Sequence, residues 1–194
     1  MLKKNESKIM KKLFDNLTRT YTINELSHVL GQKYVQTYRT VRELEKKKLI
    51  KLDVCGKSKV ISPDFSEYQL RHLAVEIERT LQIKDKQVWK IYDKLTDIDK
   101  NFICVLFGSH ANNTQRKDSD IDLLFVVKDT ERFERDIRNR LALYNVDIQV
   151  VTEDNLLEMW RKKELNVGNE ILERHVLLSG YEQFLRLLRR KDGY

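Results

Sequence analysis

FICVLFGSHANNTQRKDSDIDLLFVV, residues 102–127, contains two apolar runs that are separated by a polar, turn-rich loop. The first run is continuously apolar, as expected of a buried strand, and Gly108 and Ser109 follow it directly. The second run opens with Asp120 and Asp122, which share one face of a strand because alternate side chains point the same way. The stretch therefore predicts a buried strand, a loop, and a second strand that begins with two carboxylates.

These carboxylates indicate a site for divalent cations. Asp120 and Asp122 repel each other, and neither is easily buried unless its charge is neutralised. A third carboxylate, Asp147, lies inside the β-like apolar run of residues 143–151. If that strand pairs beside the first, three carboxylates can hold two Mg²⁺ ions. One ion would activate an attacking hydroxyl, and the other would hold a triphosphate and its leaving pyrophosphate.

Gly108 and Ser109 suit a phosphate-binding turn. A glycine at the end of a strand lets the backbone approach phosphate without a Cβ in the way. A following turn or helix N-terminus offers free N–H groups, and the serine adds a hydroxyl. Arg116 and Lys117 are expected to supply positive charge to the phosphates from further along the loop.

Gly-Ser, ten residues, Asp-x-Asp and a distant strand aspartate resemble the polymerase-β-type nucleotidyltransferases, above all the small, minimal prokaryotic ones. The resemblance covers residues 102–152. It implies an α/β domain with a mixed sheet, two Mg²⁺ ions, a nucleoside triphosphate, with ATP expected, and transfer of a nucleoside monophosphate to an acceptor. It also implies these roles: metal ligands at Asp120 and Asp122, a metal-bound carboxylate that acts as or supports the general base at Asp147, and triphosphate contacts at Gly108 and Ser109.

The loop departs from the family pattern. Many relatives read Gly-Ser-Arg-Ala-Arg-Gly, whereas His110, Asn112 and Asn113 stand here at the two arginines and the second glycine. Asparagine tolerates positive φ, so the turn is expected to survive. His110 is read as a solvent-facing loop residue as readily as a site residue. The departures predict weaker nucleotide binding and leave a non-catalytic domain as an open alternative.

The first third of the chain is strongly basic and reads as a helix-turn-helix with a wing. Residues 1–62 carry a net charge of +9, and the remainder carries −2. Three helices are predicted, near residues 2–16, 23–30 and 33–47, followed by a hairpin around Gly56. Thr22 and Glu25 form a capping-box pattern at the second helix. This order resembles the winged helix-turn-helix family over about 45 residues.

The third helix is the expected DNA-reading element. Its inward residues are predicted at Val35, Tyr38, Val41 and Leu44. The residues expected to contact phosphates or base edges, including one in the wing, are Lys33, Gln36, Thr37, Arg39, Thr40, Arg42 and Lys57. The charge asymmetry supports a polyanionic partner. The alternatives are a solvated lysine-rich surface, or a winged helix used for protein docking or dimerisation.

The expected organisation is mixed α+β or α/β, with three parts. Residues 1–63 form the winged helix domain, residues 64–99 a helical connector, and residues 100–194 a small mixed-sheet nucleotidyltransferase domain flanked by helices. In the connector, an apolar stripe is predicted to pack inward at Leu70, Leu73, Ala74, Ile77 and Leu81. Helices are also predicted over residues 153–163, 166–173 and 181–190.

Composition excludes several classes of protein. No apolar run approaches the roughly 20 residues that cross a bilayer, the N-terminus has no secretory pattern, and two cysteines make no disulfide framework. A cytoplasmic protein without a membrane partner is expected. Three functions stay open: a Mg²⁺-dependent nucleotidyltransferase, an antitoxin-like regulator that attaches AMP to a HEPN-type helical partner, and a DNA-binding regulator whose domain only senses nucleotide. A homodimer is expected if the winged helix binds two half-sites.

Overall fold

A computed structural model describes residues 2–67, 69–98, 101–162 and 164–193. Two sheets and a set of mostly short helices make up this part of the chain. The helices are α1 Lys4–Phe14, α2 Ile23–Val29, α3 Tyr34–Lys46, α4 Leu70–Thr80, α5 Lys86–Thr96, α6 Gly108–Asn112, α7 Thr130–Arg140, α8 Glu153–Arg161, α9 Val167–Glu173 and α10 Tyr181–Lys191. The strands are β1 Tyr21–Thr22, β2 Ile50–Cys55, β3 Ser58–Pro63, β4 Ile103–Leu106, β5 Ile121–Val126, β6 Val146–Val151 and β7 Val176–Ser179.

The first third has the expected order of three helices and a hairpin. Thr22 begins α2 with a complete capping box, in which Glu25 N donates to Thr22 Oγ1 over 3.2 Å and Thr22 N donates to Glu25 Oε2 over 2.8 Å. β2 and β3 pair antiparallel around a turn in which Gly56 has a φ of +58°. Strand β1, which the sequence pattern did not predict, pairs antiparallel with β3. These elements form a three-stranded sheet in the order β1-β3-β2.

The inward face of α3 differs from the predicted one. Val41 and Leu44 are buried as expected, but Val35 and Tyr38 are exposed. Thr37 is fully buried, and its hydroxyl donates to Lys33 O over 3.3 Å. A constant spacing of three residues drifts around a helix of 3.6 residues per turn, so the true core stripe follows the four- and three-residue steps from Thr37. Thr37 cannot reach DNA, and its place in the predicted set is wrong.

The connector helices are present, but α4 faces the opposite way from the prediction. Leu70, Ala74, Ile77 and Leu81 are exposed, and polar residues face inward. The prediction that this apolar stripe packs inward is therefore wrong, apart from the half-buried Leu73. The inward polar residues of α4 are His72, Glu76, Arg79 and Thr80.

A buried polar junction holds α4 against β7. Arg79 Nη1 donates to Glu76 Oε2 over 2.7 Å, and Arg79 Nη2 donates to the His175 carbonyl over 2.6 Å. His175 Nε2 lies 3.1 Å from Glu76 Oε1. Burial alone would raise the pKa of Glu76, but the charges and hydrogen bonds of Arg79 and His175 hold that pKa below its ordinary value. Thr80 Oγ1 also donates to the Leu177 carbonyl over 2.6 Å. α4 is thereby fixed in orientation.

The second sheet is mixed, as predicted. Its strand order is β6-β5-β4-β7, in which β5 and β6 run parallel while β4 pairs antiparallel with both β5 and β7. The β4 side chains are all buried, as the continuous apolar run indicated. The sequence pattern gave no expectation for α7, where Phe133 and Ile137 are the apolar residues on an otherwise polar helix. A mixed α and β architecture with helices around the sheet is thus confirmed.

One hydrophobic core joins the first third to the mixed sheet. It extends from Ile9 and Phe14 of α1 to Phe184 and Leu188 of α10, with Val105 of β4 between them. A second apolar cluster lies around Val88 and Ile91 of α5 on the mixed sheet. Within the described residues, no helix has the length and hydropathy needed to cross a membrane. Cys55 is exposed and Cys104 is buried, and both are free thiols.

Candidate active site

The three predicted carboxylates lie at one end of the mixed sheet. The parallel register of β5 and β6 sets Asp122 directly beside Asp147. Asp120 immediately precedes β5, and it lies close enough to Asp122 for its charge to act on that carboxyl group. Asp120 and Asp147 are exposed, and Asp122 is half-buried. The fold therefore brings together residues that are up to 27 positions apart in sequence.

Electrostatic repulsion marks Asp122 as the centre of this group. Burial raises the pKa of Asp122, and the negative charges of Asp147 and Asp120 raise it further. His110 and the backbone N–H of Ser109 act in the opposite direction. A carboxyl group whose pKa is raised by like charges lies where a cation would be stabilised most.

A fourth carboxylate, Glu170 of α9, lies near enough to Asp122 for their charges to interact. Burial raises the pKa of Glu170, and the charges of Asp122 and Glu173 raise it further. The sequence gave no signal for Glu170, because it lies in a separate helix 48 residues after Asp122. Only the fold shows that α9 approaches the carboxylate end of β5.

The donor set fits a hard divalent cation, although the side chains are not gathered as ligands. In the part of the chain that the structure describes, no three Asp, Glu, His or Cys side chains lie together closely enough to hold a metal. Asp120 Oδ1 accepts a hydrogen bond from Asn145 Nδ2 over 2.5 Å, which occupies one of its oxygens. Oxygen donors on one face of adjacent strands are the ligands that Mg²⁺ prefers.

Gly108 begins the loop beside Asp122. Its φ is +62°, and a Cβ at this position would overlap the Asp122 carboxylate. Gly108 is the first residue of the short helix α6, and the N–H of the next residue, Ser109, faces the same carboxylate. Asn113 ends α6 in the left-handed region with a φ of 55°, as expected for an asparagine in place of a glycine. The close approach that Gly108 was expected to allow is here made to a carboxylate.

The two predicted phosphate-binding cations lie further out. Arg116 and Lys117 are exposed in the loop between α6 and β5. The Arg116 backbone N–H donates to Ser119 Oγ over 2.9 Å, which shapes the loop. Among the described residues, neither side chain makes an ion pair. Their contact with a triphosphate remains a prediction.

The His110 side chain is buried and connects the loop to α5 through non-covalent contacts, so its interpretation as a solvent-facing residue is wrong. Its side chain is 6% exposed. His110 Nδ1 lies 3.0 Å from Asp85 Oδ2, and His110 Nε2 lies 3.3 Å from the Ser119 carbonyl. Asp85 also caps α5 through Gln87 N. His110 therefore ties α6, α5 and the residue next to Asp120 to one another.

The predicted DNA contacts other than Thr37 are spread over α3 and the hairpin. Lys33, Gln36 and Arg39 are exposed. Arg42 forms an ion pair with Glu45 at 2.6 Å, and Thr40 is half-buried with its hydroxyl on the Gln36 carbonyl. Lys57 is exposed in the turn between β2 and β3. Their role in binding DNA remains a prediction.

Two tyrosines extend the exposed surface of α3, and sequence reasoning missed both. Tyr34 and Tyr38 are about half-exposed, and their rings stack with centroids 6.3 Å apart. The helical spacing between Tyr38 and Val41 predicts Tyr38 in the core, but the structure leaves it 44% exposed. The exposed face of α3 thus combines cations with aromatic rings, a combination found at nucleic-acid and protein interfaces.

Comparison with known proteins gives one family match. The family model described as "Polymerase beta, Nucleotidyltransferase" matches residues 86–183. A crystal structure of a toxin–antitoxin with AMP-PNP is 22% identical, with a TM-score of 0.36, and covers 56% of this chain and 82% of that chain. A mutant of the toxin–antitoxin MntA–HpeT is 22% identical, with a TM-score of 0.37, and covers 53% and 80%. No curated protein matches.

Proposed function

The chain belongs to the polymerase beta nucleotidyltransferase family, and from this premise we propose that it transfers a nucleoside monophosphate from a nucleoside triphosphate to an acceptor in a Mg²⁺-dependent reaction. The expected nucleotide is ATP. The acceptor oxygen bonds to the α-phosphorus, the bond from that phosphorus to the β-phosphate oxygen breaks, and pyrophosphate leaves. Nucleotidyl transfer is the activity of the family, and the metal, the nucleotide and the acceptor are the proposed parts.

The observation that supports this proposal most is the register of β5 and β6. It sets Asp122 of β5 directly beside Asp147 of β6, and Asp120 immediately precedes β5. Two of these side chains are exposed to solvent, so a substrate can approach them. Burial, and then the charges of Asp147 and Asp120, raise the pKa of Asp122, and a bound cation would offset this electrostatic cost.

Each residue has a proposed task. Asp120, Asp122 and Asp147 would hold the metal ions, which when bound supply charge neutralisation for the triphosphate and the leaving pyrophosphate. Asp147, exposed at the edge of the group, would accept the acceptor's proton or support its removal. Gly108 leaves room for the carboxylate, while the Ser109 hydroxyl would bind phosphate. His110 holds the loop that precedes Asp120.

Label transfer tests the activity. The purified chain is incubated with Mg²⁺ and each α-labelled nucleoside triphosphate, in the presence of DNA, RNA or protein acceptors. Transfer of label is expected from the wild type and not from Asp120→Asn, which preserves the shape of the side chain and its contact with Asn145. Asp118→Asn, an exposed carboxylate in the same loop, is the matched control and should transfer label normally.

The acceptor that takes the label distinguishes the remaining alternatives. Label on a small helical protein would support the antitoxin-like function, in which AMP is attached to a HEPN-type partner. Label on nucleic acid would support transfer to a polynucleotide end. If nucleotide binds but no acceptor is labelled, the transferase proposal is wrong, and a nucleotide-sensing regulator takes its place.

A second proposed activity is nucleic-acid binding by a winged helix in the first third of the chain. The exposed Lys33, Gln36 and Arg39 on α3, with Lys57 in the hairpin, support it. Binding of duplex DNA should weaken steeply with salt, because phosphate contacts release counterions. Arg39→Ala should weaken it, whereas Arg135→Ala on the exposed surface of α7 should not. Binding that is insensitive to salt, or that is lost equally in both variants, would contradict this assignment.

A further inference from the structure

The outward face of α4 is apolar, whereas its inward face is charged. Leu70 and Leu81 are 72% and 68% exposed, Ile77 is 41% exposed, and Ala74 is exposed as well. These four residues, here named the α4 seam, recur at steps of four, three and four. Apolar residues at these steps form the stripe along which two helices pack in a coiled coil. A continuous apolar stripe on a helix indicates a surface that a partner covers.

The orientation of α4 is fixed by its other face, so the seam cannot turn inward. Glu76 and Arg79 are bonded to each other and to His175, and Thr80 is bonded to β7. Rotating the seam towards the core would expose hydrogen-bonded groups that are now buried and would break these contacts. Because α4 is already folded and anchored, a partner would not have to order it on binding.

An apolar groove continues the seam on the side of α5. It has a volume of about 370 Å³ and is lined by Leu73, Ile77, Tyr92, Leu95 and Tyr181, among others. Ile77 belongs to both surfaces. The combined apolar area is therefore wider than one helix and suits another helix lying along α4.

We propose that the α4 seam pairs with the α4 seam of a second copy of this chain, in antiparallel orientation. The seam is self-complementary about its midpoint. Antiparallel pairing sets Leu70 against Leu81 of the second copy, and Ala74 against Ile77 of the second copy. Small residues thus oppose large ones in the middle, and two leucines close each end.

Charges beside the seam favour this occupant and this orientation. Arg71 is exposed and Glu78 is half-exposed, and both lie on the same flank of the seam. Glu78 Oε2 accepts a hydrogen bond from Ser7 Oγ and lies 3.6 Å from Lys11 Nζ, and the side chain stays 43% exposed beside these contacts. In an antiparallel pair, the Arg71 and Glu78 flanks of the two copies lie next to each other. Arg71 then lies within about one helical turn of Glu78 of the second copy. In a parallel pair, this flank would meet the Leu73 and Thr80 flank, and neither Arg71 nor Glu78 would gain a charged partner from the second copy.

The oligomeric state of the full-length chain tests the pairing. Sedimentation or light scattering should give a dimer whose dissociation constant rises about tenfold or more in Leu81→Glu, because a charge replaces a leucine in both of the Leu70–Leu81 contacts that close the ends of the seam. Leu81 is mostly in solvent, so circular dichroism should show an unchanged fold. Leu143→Glu, at a leucine that is 97% exposed and lies outside the seam, is the matched control and should stay dimeric.

Disulfide trapping tests the orientation. In a Cys55→Ser background, a mixture of Leu70→Cys and Leu81→Cys chains should form linked dimers, whereas Leu70→Cys alone should not. Linkage of Leu70→Cys to itself would mean parallel pairing and would contradict the proposed geometry. A chain that stays monomeric at high micromolar concentration, or a dimer that Leu81→Glu leaves intact, would overturn the pairing and leave the seam to a different protein.

Discussion

At the residue scale, Asp122 combines a proposed function with a cost in stability. Its pKa is raised in the folded chain, so its ionised form destabilises the fold at neutral pH, and this penalty fades as pH falls towards the ordinary aspartate value of 3.8. Asp122→Asn should therefore raise the free energy of unfolding at pH 7, by less than about 1 kcal/mol because solvent screens the repulsion. Denaturant unfolding measures the effect.

The response to Mg²⁺ distinguishes the stability change in Asp122→Asn from that of an ordinary surface substitution. Mg²⁺ should stabilise the wild type and should not stabilise Asp122→Asn, since a ligand stabilises only the state that binds it. Asp118→Asn should respond to Mg²⁺ as the wild type does. An Asp122→Asn variant that is less stable than the wild type at pH 7 would show that the cost of burying an ionised carboxylate beside like charges does not dominate at this site.

His110 makes a second prediction at this scale. His110→Ala removes both contacts of a buried ring and should lower the free energy of unfolding by about 1–3 kcal/mol. Because the ring ties Ser119 to Asp85, Asp85→Asn should reproduce part of the loss. His28→Ala, at an exposed histidine, is the control for thermal or denaturant unfolding. Equal losses of unfolding free energy in His110→Ala and His28→Ala would contradict the proposal that His110 bridges Ser119 and Asp85.

Local chemistry explains which residues could be predicted from sequence. The Thr22 cap depends on Glu25 three positions away, and Asp120 and Asp122 share a face through strand alternation alone. His110 and Glu170 could not be predicted in this way. Their partners, Asp85 and Asp122, lie 25 and 48 positions away, and no local pattern reports a contact at such a distance.

At the element scale, the turn from β4 into α6 requires Gly108 for two reasons. A side chain there would adopt a strained positive φ and would also collide with Asp122. Gly56 has nearly the same φ, of +58°, and has open space around it. Gly56→Ala should therefore cost only the conformational strain, about 1–2 kcal/mol. Gly108→Ala should cost more, as measured by denaturant unfolding.

The label-transfer activities of Gly108→Ala and Gly56→Ala should differ more than their stabilities do. Displacing Asp122 by about an ångström should reduce label transfer about a hundredfold in Gly108→Ala. Gly56→Ala should leave it unchanged. Equal unfolding losses in the two variants would mean that the Asp122 side chain moves aside without cost, and the close packing of Gly108 would then have no role.

Helix faces were predicted less well than helix positions. The apolar stripe of α4 has the right period for burial, but charged residues can be buried when they neutralise one another. Glu76 and Arg79 do so with His175, which lies about a hundred residues away. On α3, Thr37 can be buried because its hydroxyl donates a hydrogen bond to the Lys33 carbonyl of the preceding turn. Periodicity identifies the face that is apolar, and long-range contacts decide the face that is inside.

At the scale of the whole molecule, the Glu76 junction should control stability in acid. The pKa of Glu76 is lowered in the folded chain, so its contribution is complete at neutral pH and is lost as pH falls below the ordinary value of 4.5. Glu76→Gln leaves Arg79 buried without its close carboxylate and should cost about 3 kcal/mol at pH 7.

A pH series of denaturant unfolding measures this effect. The difference between the wild type and Glu76→Gln should shrink as the buffer becomes acidic. Glu182→Gln, in an exposed pair with Arg186, should cost far less at every pH. A difference between the wild type and Glu76→Gln that does not vary with pH would contradict the assigned charge state of the junction.

The core that α1 shares with α10 bears on how this chain can be dissected. The backbone N–H of Leu17 donates to the Leu172 carbonyl over 2.7 Å, and Arg79 reaches Asp15 from α4. A fragment cut after residue 63 would leave Phe184 and Leu188 uncovered on one piece and Ile9 and Phe14 on the other. Both recombinant halves should precipitate or need detergent, so assays of nucleotidyl transfer and of the proposed nucleic-acid binding require the intact polypeptide.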